Sequence, residues 1–257
     1  MDFNRVRLDF EGSVAVLTLN HPEVLNAIGP DMQEGLTEAL EALETRPADV
    51  RCLLLTGAGR GFCSGANLAV RSGRAGTGLR NYYHPLLLGL RDLEMPIVTA
   101  VNGPAAGVGM SFAMMGDIVC AARGAFFLQA FARIGLVPDG GATFLLPRLV
   151  GWGRALELSL LAERLPAERA FEWGLVNRLY DDAEALMDGA MEVASKLGGG
   201  PRSLALIRKA YWSTWHNSYE QQLDLEARLQ TEAGGTADSR EGVKAFLEKR
   251  DANFTGT

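Results

Sequence analysis

Two segments of small residues carry chemistry that the sequence can offer. One is Phe62-Cys-Ser-Gly-Ala-Asn-Leu68 and the other is Asn102-Gly-Pro-Ala-Ala-Gly-Val-Gly109. Each follows an apolar run that reads as a buried strand. The second opens a helix-like run over residues 110–118, with a first turn nearly bare of side chains. A helix start leaves backbone N–H groups without intrahelical acceptors and carries the positive end of the dipole. Small residues let a ligand oxygen reach those groups. Together the segments could aim two N–H groups at one carbonyl oxygen. Such an oxyanion hole stabilises charge as it develops, by about 3–4 kcal/mol per donor. Singly, each segment reads more simply as a tight turn. Their corresponding places in repeated units favour the functional reading.

An oxyanion hole needs an acid/base partner, and Asp139 is the best candidate. It lies between Pro138 and Gly140, flanked by Leu136, Val137, Phe144 and Leu145. Apolar company raises a carboxyl pKa and makes the group a better base near neutrality. On local sequence alone, an Asx turn or helix N-cap ahead of Thr143 is the simpler reading. Other motif readings fail. Gly107-Val-Gly109 would need a third glycine where Phe112 stands, and an acidic residue further on. Residues 57–65 lack the Gly-Lys-Ser/Thr of a phosphate loop. Gly109-Met-Ser111-Phe-Ala113 approaches a nucleophile elbow, but Ser111 lies well past the strand end near Val101. None of the three histidines can be placed as its base.

The elements that position these residues alternate. Strands are expected over residues 14–19, 50–56, 95–101, 118–121 and 126–131. Helices are expected over 30–44, 83–93, 110–118, 143–150, 153–162, 166–173 and 183–197. The pattern of strand, turn and helix, three times over, indicates an α/β architecture. Residues 71–80 are rich in Gly and Arg and read as a mobile loop. Gly198-Gly-Gly-Pro201 is the clearest breaker in the chain. It suggests a division into residues 1–200 and a helical tail over 201–257. The tail's Trp212, Trp215, Tyr219, Leu223 and Leu229 make it apolar enough to pack on its own core or on a neighbour.

Composition narrows the classes. The 257 residues are 47% hydrophobic and 22% charged, which is ordinary for a soluble globular protein. The net charge of −6, with no block of Lys/Arg, argues against a nucleic-acid partner. Three widely spaced cysteines, Cys52, Cys63 and Cys120, suit a reducing cytoplasm and argue against a disulfide framework or a metal site. The N-terminus has no targeting pattern, and no apolar run reaches the roughly 18 residues of a membrane span.

At these residues the chain resembles the crotonase superfamily, the enoyl-CoA hydratases and isomerases. Five segments carry the likeness: Asn20-His-Pro-Glu-Val-Leu-Asn-Ala27, Gly61-Phe-Cys-Ser-Gly-Ala-Asn-Leu68, residues 102–117, residues 135–151, and Glu241-Gly-Val-Lys-Ala-Phe-Leu-Glu-Lys-Arg250. The resemblance implies a spiral of repeated ββα units that binds an acyl-CoA thioester, with a C-terminal helical region that builds a homotrimer or dimer of trimers. It implies Ala66 and Val108 as oxyanion donors. Leu25, Ala27, Ala66, Asn67 and Leu68 match the wall for the CoA nucleotide. Phe246 and Lys249 match tail residues that reach CoA, often across a subunit boundary. The family's usual Asp after Ser-Gly-Ala is Asn67 here. No permanently bound cofactor or metal is implied, since CoA arrives with the substrate.

The departures bear on the reaction. Hydratases of this family carry two glutamates that handle water; the matching positions here are Ser111 and Phe131. Asp139 instead matches an aspartate used by isomerases of the family, among them the epoxyphenylacetyl-CoA and dienoyl-CoA isomerases, and residues 135–143 look most like the former; this implies a double-bond shift through a thioester enolate with Asp139 as acid/base. A hydratase-type lyase or thioester hydrolase on the same fold, with Asp139 or Ser111 orienting water, stays open, as does a non-catalytic acyl-CoA-binding or assembly subunit. Residues 69–85, with Arg74, Tyr82, Tyr83 and His84, are expected to shape the acyl pocket.

Overall fold

A computed structural model describes residues 1–70 and 75–257. In chain order the elements are β1 (Asp2–Phe3), β2 (Val6–Glu11), β3 (Val14–Leu19), α1 (Pro30–Glu44), β4 (Cys52–Gly57), α2 (Ala75–Gly78), α3 (His84–Asp92), β5 (Ile97–Val101), β6 (Ala105–Ala106), α4 (Val108–Ala113), β7 (Ile118–Ala122), β8 (Phe126–Leu128), α5 (Ala142–Val150), α6 (Trp152–Leu161), β9 (Arg164–Pro166), α7 (Ala167–Glu172), β10 (Arg178–Tyr180), α8 (Ala183–Gly198), α9 (Ser203–Thr214), α10 (Tyr219–Gly234) and α11 (Ala237–Glu248). A π-helical turn, Leu79–Tyr83, leads into α3.

The large sheet runs β1-β2-β3-β4-β5-β7-β10. Its first two pairings are antiparallel and the rest parallel. Strands β3, β4 and β5 are buried on both faces, which explains their continuous apolar sequences. Alternate residues divide between two cores. Val14, Val16, Leu54 and Val98 pack under α8 through Leu186, Ala190 and Val193. Ala15, Leu17, Leu53, Leu55 and Ile97 face the larger core, with Leu36 of α1, Leu90 of α3 and Leu145 of α5.

A second, smaller sheet, β6-β8-β9, runs beside the first. Isolated bridges extend it, pairing Ile28 with Ala66 and Cys63 with Ala105. The expected turns between strand and helix therefore contain a short second strand. Strand β3, Ile28 and α1 make one unit; β4, Cys63 and the helices up to α3 make the next; β5, β6 and α4 a third. This is the ββα spiral, and both proposed donor segments lie where its second strands run.

Several boundaries differ from expectation. The helix expected over 110–118 begins at Val108 and ends at Ala113. The Thr99 hydroxyl donates to the Ala113 carbonyl at the helix end at 2.9 Å, and Asp117, beyond the helix, accepts the Ile97 N–H at 2.8 Å. The strand expected over 126–131 stops at Leu128, whose carbonyl takes the Gly107 N–H at 2.8 Å, and a 3-10 turn, Ala130–Ile134, follows. Of the loop expected over 71–80, residues 71–74 lie outside the described residues, and 75–80 are helical. The helical tail is three helices, with Ser218 starting α10 by a capping box that includes Gln221. No helix among the described residues is long and apolar enough to cross a membrane.

Candidate active site

The Ala66 segment is shaped by backbone bonds to residues 24–28. Ile28 donates to the Gly65 carbonyl at 2.8 Å and accepts from the Asn67 N–H at 2.9 Å. The peptide between Gly65 and Ala66 is planar and trans. With the Gly65 oxygen turned to Ile28, the Ala66 N–H must point the other way. Ser64 ties the segment to the same stretch twice, through its N–H to the Leu25 carbonyl at 2.9 Å and its Oγ to the Val24 carbonyl at 3.0 Å. Leu25 and Ala27, expected in the CoA wall, thus adjoin Ala66 and Asn67.

Asn26 holds this wall from behind. It is fully buried with a left-handed backbone (φ 56°), a conformation that asparagine tolerates better than most residues. Its Nδ2 donates to the carbonyls of Ala58, Gly61 and Phe62 at 3.0, 2.8 and 3.2 Å, and its Oδ1 accepts the His21 N–H at 2.8 Å. The sequence reading assigned Asn26 no role. Its signal was an Asn-Ala pair just before a buried bridge, which is weak without knowledge of what lies behind it.

The second segment packs directly on the first. The Cys63 carbonyl accepts the Ala106 N–H at 2.9 Å, and Cys63 donates to the Pro104 carbonyl at 3.0 Å. Gly109 makes this approach possible, because a Cβ there would strike the Cys63 carbonyl. Val108 is the first residue of α4. The Gly107 carbonyl turns along the helix to accept from Met110 at 3.0 Å, so the Val108 N–H on the same peptide points outward. The helix has only six residues, so its macrodipole is small, and the N–H itself is the useful group. Among the described residues neither the Ala66 nor the Val108 N–H is used in a protein hydrogen bond.

Ala66, Val108 and Asp139 line one cavity of about 220 Å³, together with Tyr83, Phe131 and Leu136. Asp139 is half-buried. The N-cap of α5 is Gly141, so Asp139 precedes the cap by two residues and is not the cap itself. Its carbonyl accepts the Ala142 N–H at 3.1 Å and the Ser111 hydroxyl at 3.0 Å. Ser111 is fully buried and does not line the cavity. This geometry removes Ser111 as a nucleophile or a holder of water. Cys63 lies beneath the donors, and burial pushes its thiol up to about 12, so it supplies no thiolate near neutral pH.

Other expected residues separate. Asn67, Leu68, Tyr82 and Tyr83 line the cavity, whereas His84 is exposed and does not. Arg74 lies outside the described residues. Tyr83 is buried and donates its hydroxyl to the Ile28 carbonyl at 3.3 Å, on the wall that carries Ala66. Phe246 and Lys249 do not meet the cavity within one chain: Phe246 is 83% exposed on α11, and Lys249 is the exposed C-cap of that helix.

The sequence model of the family described as "Enoyl-CoA hydratase/isomerase" matches residues 9–257. The chain is 48% identical over 254 residues to a 1,2-epoxyphenylacetyl-CoA isomerase of Escherichia coli K12, covering 96% of each chain. It is 42% identical over 259 residues to a protein of Rhodobacter capsulatus named "Probable enoyl-CoA hydratase", covering all of both. Among solved structures, an enoyl-CoA hydratase/isomerase from Cupriavidus metallidurans superposes with a TM-score of 0.91 at 33% identity, covering 100% of this chain and 98% of that one. With its spiral of ββα units and these relatives, the chain belongs to the enoyl-CoA hydratase/isomerase family of the crotonase superfamily.

Proposed function

We propose that this enzyme is an acyl-CoA double-bond isomerase that uses Asp139 as its single acid/base. One observation carries the reading. Two backbone donors and Asp139 line a single cavity, while the two positions at which hydratases of the family keep glutamates hold Ser111 and Phe131. The thioester oxygen accepts from the N–H groups of Ala66 and Val108. Charge that builds on that oxygen as the enolate forms is met by donors already in place. Asp139 takes a proton from one carbon of the acyl chain and returns it to another. One carboxylate suffices, since isomerisation has no net proton uptake, and its transfer contributes roughly 10²–10⁴-fold. Hydration would require a group that activates water, and Phe131 offers an apolar ring instead.

On this reading the CoA nucleotide lies along Leu25, Ala27, Ala66, Asn67 and Leu68. Phe246 and Lys249 reach it from a neighbouring copy in a homotrimer or dimer of trimers, assembled through the tail over 201–257 while residues 1–200 carry the acyl-CoA site. CoA enters and leaves as part of the substrate, in the cytoplasm, and no resident cofactor or metal takes part.

Asp139→Asn tests the assignment. It should fold, bind acyl-CoA and lose at least about 10²-fold in turnover of a 3-enoyl-CoA. Near-full turnover would sink the reading, and so would fast hydration of crotonyl-CoA by the wild type. The name of the E. coli relative favours a second reading of the acyl group, an aryl epoxide thioester, and the rings of Tyr83 and Phe131 suit an aryl group. An acyl-CoA panel that includes 1,2-epoxyphenylacetyl-CoA, read by mass spectrometry for shifted, hydrated or cleaved products, separates these readings from thioester hydrolysis and from binding without turnover.

A further inference from the structure

Ser111 and Gly140 join the loop that carries the base to the helix that carries a donor. Ser111 is fully buried on α4, three residues after Val108. Its hydroxyl and the Ala142 N–H take the two lone pairs of the Asp139 carbonyl, at 3.0 and 3.1 Å. The next residue, Gly140, has φ +61°, and a Cβ there would stand 2.8 Å from the Ser111 Cβ and 3.1 Å from Val108 Cγ2. Only glycine suits that backbone and that space together. The base loop is thus pressed onto α4 at residue 140 and bonded to it at residue 139.

We infer that Ser111 is a positioning residue for Asp139, setting the base at a fixed distance from the Val108 donor. The inference rests on the reading of Asp139 as the base. Its physical ground is that one acyl chain must meet both groups at once. The thioester oxygen sits at the donors, and the carbon that loses its proton is a set number of bonds away. A base misplaced by about 1 Å costs on the order of 10²-fold. The loop contains Gly135, Gly140 and Gly141, whose missing side chains leave their own dihedrals less restricted than those of other residues. The hydroxyl bond joins the Ala142 bond and the Gly140 contact in fixing the Asp139 backbone. The Ser111 hydroxyl is spent on the Asp139 carbonyl, so the position that serves water in a hydratase serves the base here.

Ser111→Ala in the full chain tests this. The Asp139 carbonyl keeps its Ala142 bond, so the variant is expected to fold. Turnover of a 3-enoyl-CoA should fall roughly 10–100-fold with KM within about twofold. Ser111→Cys keeps the volume with a weaker donor, and its kcat should fall between the two; it carries the same test should the alanine variant not fold. In an Asp139→Asn background, Ser111→Ala should change the residual rate by less than about twofold, because a residue that acts through Asp139 has nothing left to position. A kcat within twofold of wild type, a loss confined to KM, or an equal loss in both backgrounds would overturn the inference. An active Asp139→Asn enzyme would instead overturn the assignment of the base. An inactive Asp139→Asn beside a fully active Ser111→Ala would overturn only the role of Ser111.

Discussion

The Val108 N–H sits on a buried helix, whereas the Ala66 N–H belongs to an exposed residue just past the buried Phe62 and Cys63. The two present the same group to the same cavity, yet different forces hold them. Val108 is 2% exposed and packs inside the main core with Phe112 and Met110. Its place is set by close packing, which yields little to a local change. Ala66 is placed by a ladder of hydrogen bonds to residues 24–28 and by the buried amide of Asn26 behind it. Such a wall can shift without unpacking a core. The difference teaches that Val108 and Asp139 are joined in one packed unit through Ser111 and Gly140, while Ala66 is held by a separate hydrogen-bonded wall.

Three changes break or sharpen this contrast. The largest effect is expected from Val108→Pro. Proline is tolerated in the first turn of a helix but has no N–H. It should lower kcat for a 3-enoyl-CoA by about 10²–10³-fold with little change in KM, read by steady-state kinetics. A loss of less than tenfold in a folded variant would mean that Val108 is not a donor to the reaction. Next comes Asn26→Ala, which leaves three backbone carbonyls without their donor and puts alanine in a left-handed backbone. It should cost about 3 kcal/mol of stability in urea denaturation. It should also raise KM and lower kcat together, since the wall that carries Ala66 also adjoins Leu25 and Ala27. A change in stability alone would show that the wall holds its shape without Asn26.

The smallest effect concerns the tail, where an ion pair ties α11 to the segment that follows it. Glu241 accepts from the two terminal guanidinium nitrogens of Arg250 at 2.6 and 2.9 Å and from the Asn253 N–H at 2.9 Å. These bonds hold its carboxyl down to about 2. A depressed carboxyl contributes stability that is present above the ordinary glutamate range and is lost as pH falls through the folded value. The contribution should therefore begin to decline below about pH 4.5 and be gone through about pH 2. The Glu241 carboxyl should titrate near 2 by NMR. A midpoint in the ordinary range would show that the clip does not form in solution.

Much of the architecture was legible because it rests on long, regular patterns. Strand β3 and helix α1 fall where expected, since a doubly buried strand is apolar throughout and an amphipathic helix repeats every three to four residues. The short second strands were not legible. Strand β6 has two residues, and the Ile28 and Cys63 bridges have one each, too few for any period to register. Strands β1 and β2 were missed because Val6 and Leu8 alternate with charged residues over too short a run. The simpler reading of Asp139 as a helix cap had local merit and lost to Gly141, whose positive φ starts α5 two residues later.

The sequence by itself determined which groups could act: two small-residue segments, one aspartate in apolar company, and no carboxylate at 111 or 131. It could do so because side-chain chemistry and the absence of bulk are local properties. Only the tertiary structure decided that these groups share a cavity. It also turned Ser111 from a candidate for handling water into a buried donor to the Asp139 carbonyl, and showed that Phe246 and Lys249 stand away from the site within one chain. Those outcomes depend on which second strands pair and where Gly109 and Gly140 let backbones meet. Such contacts join residues tens of positions apart, and no pattern along the chain records them.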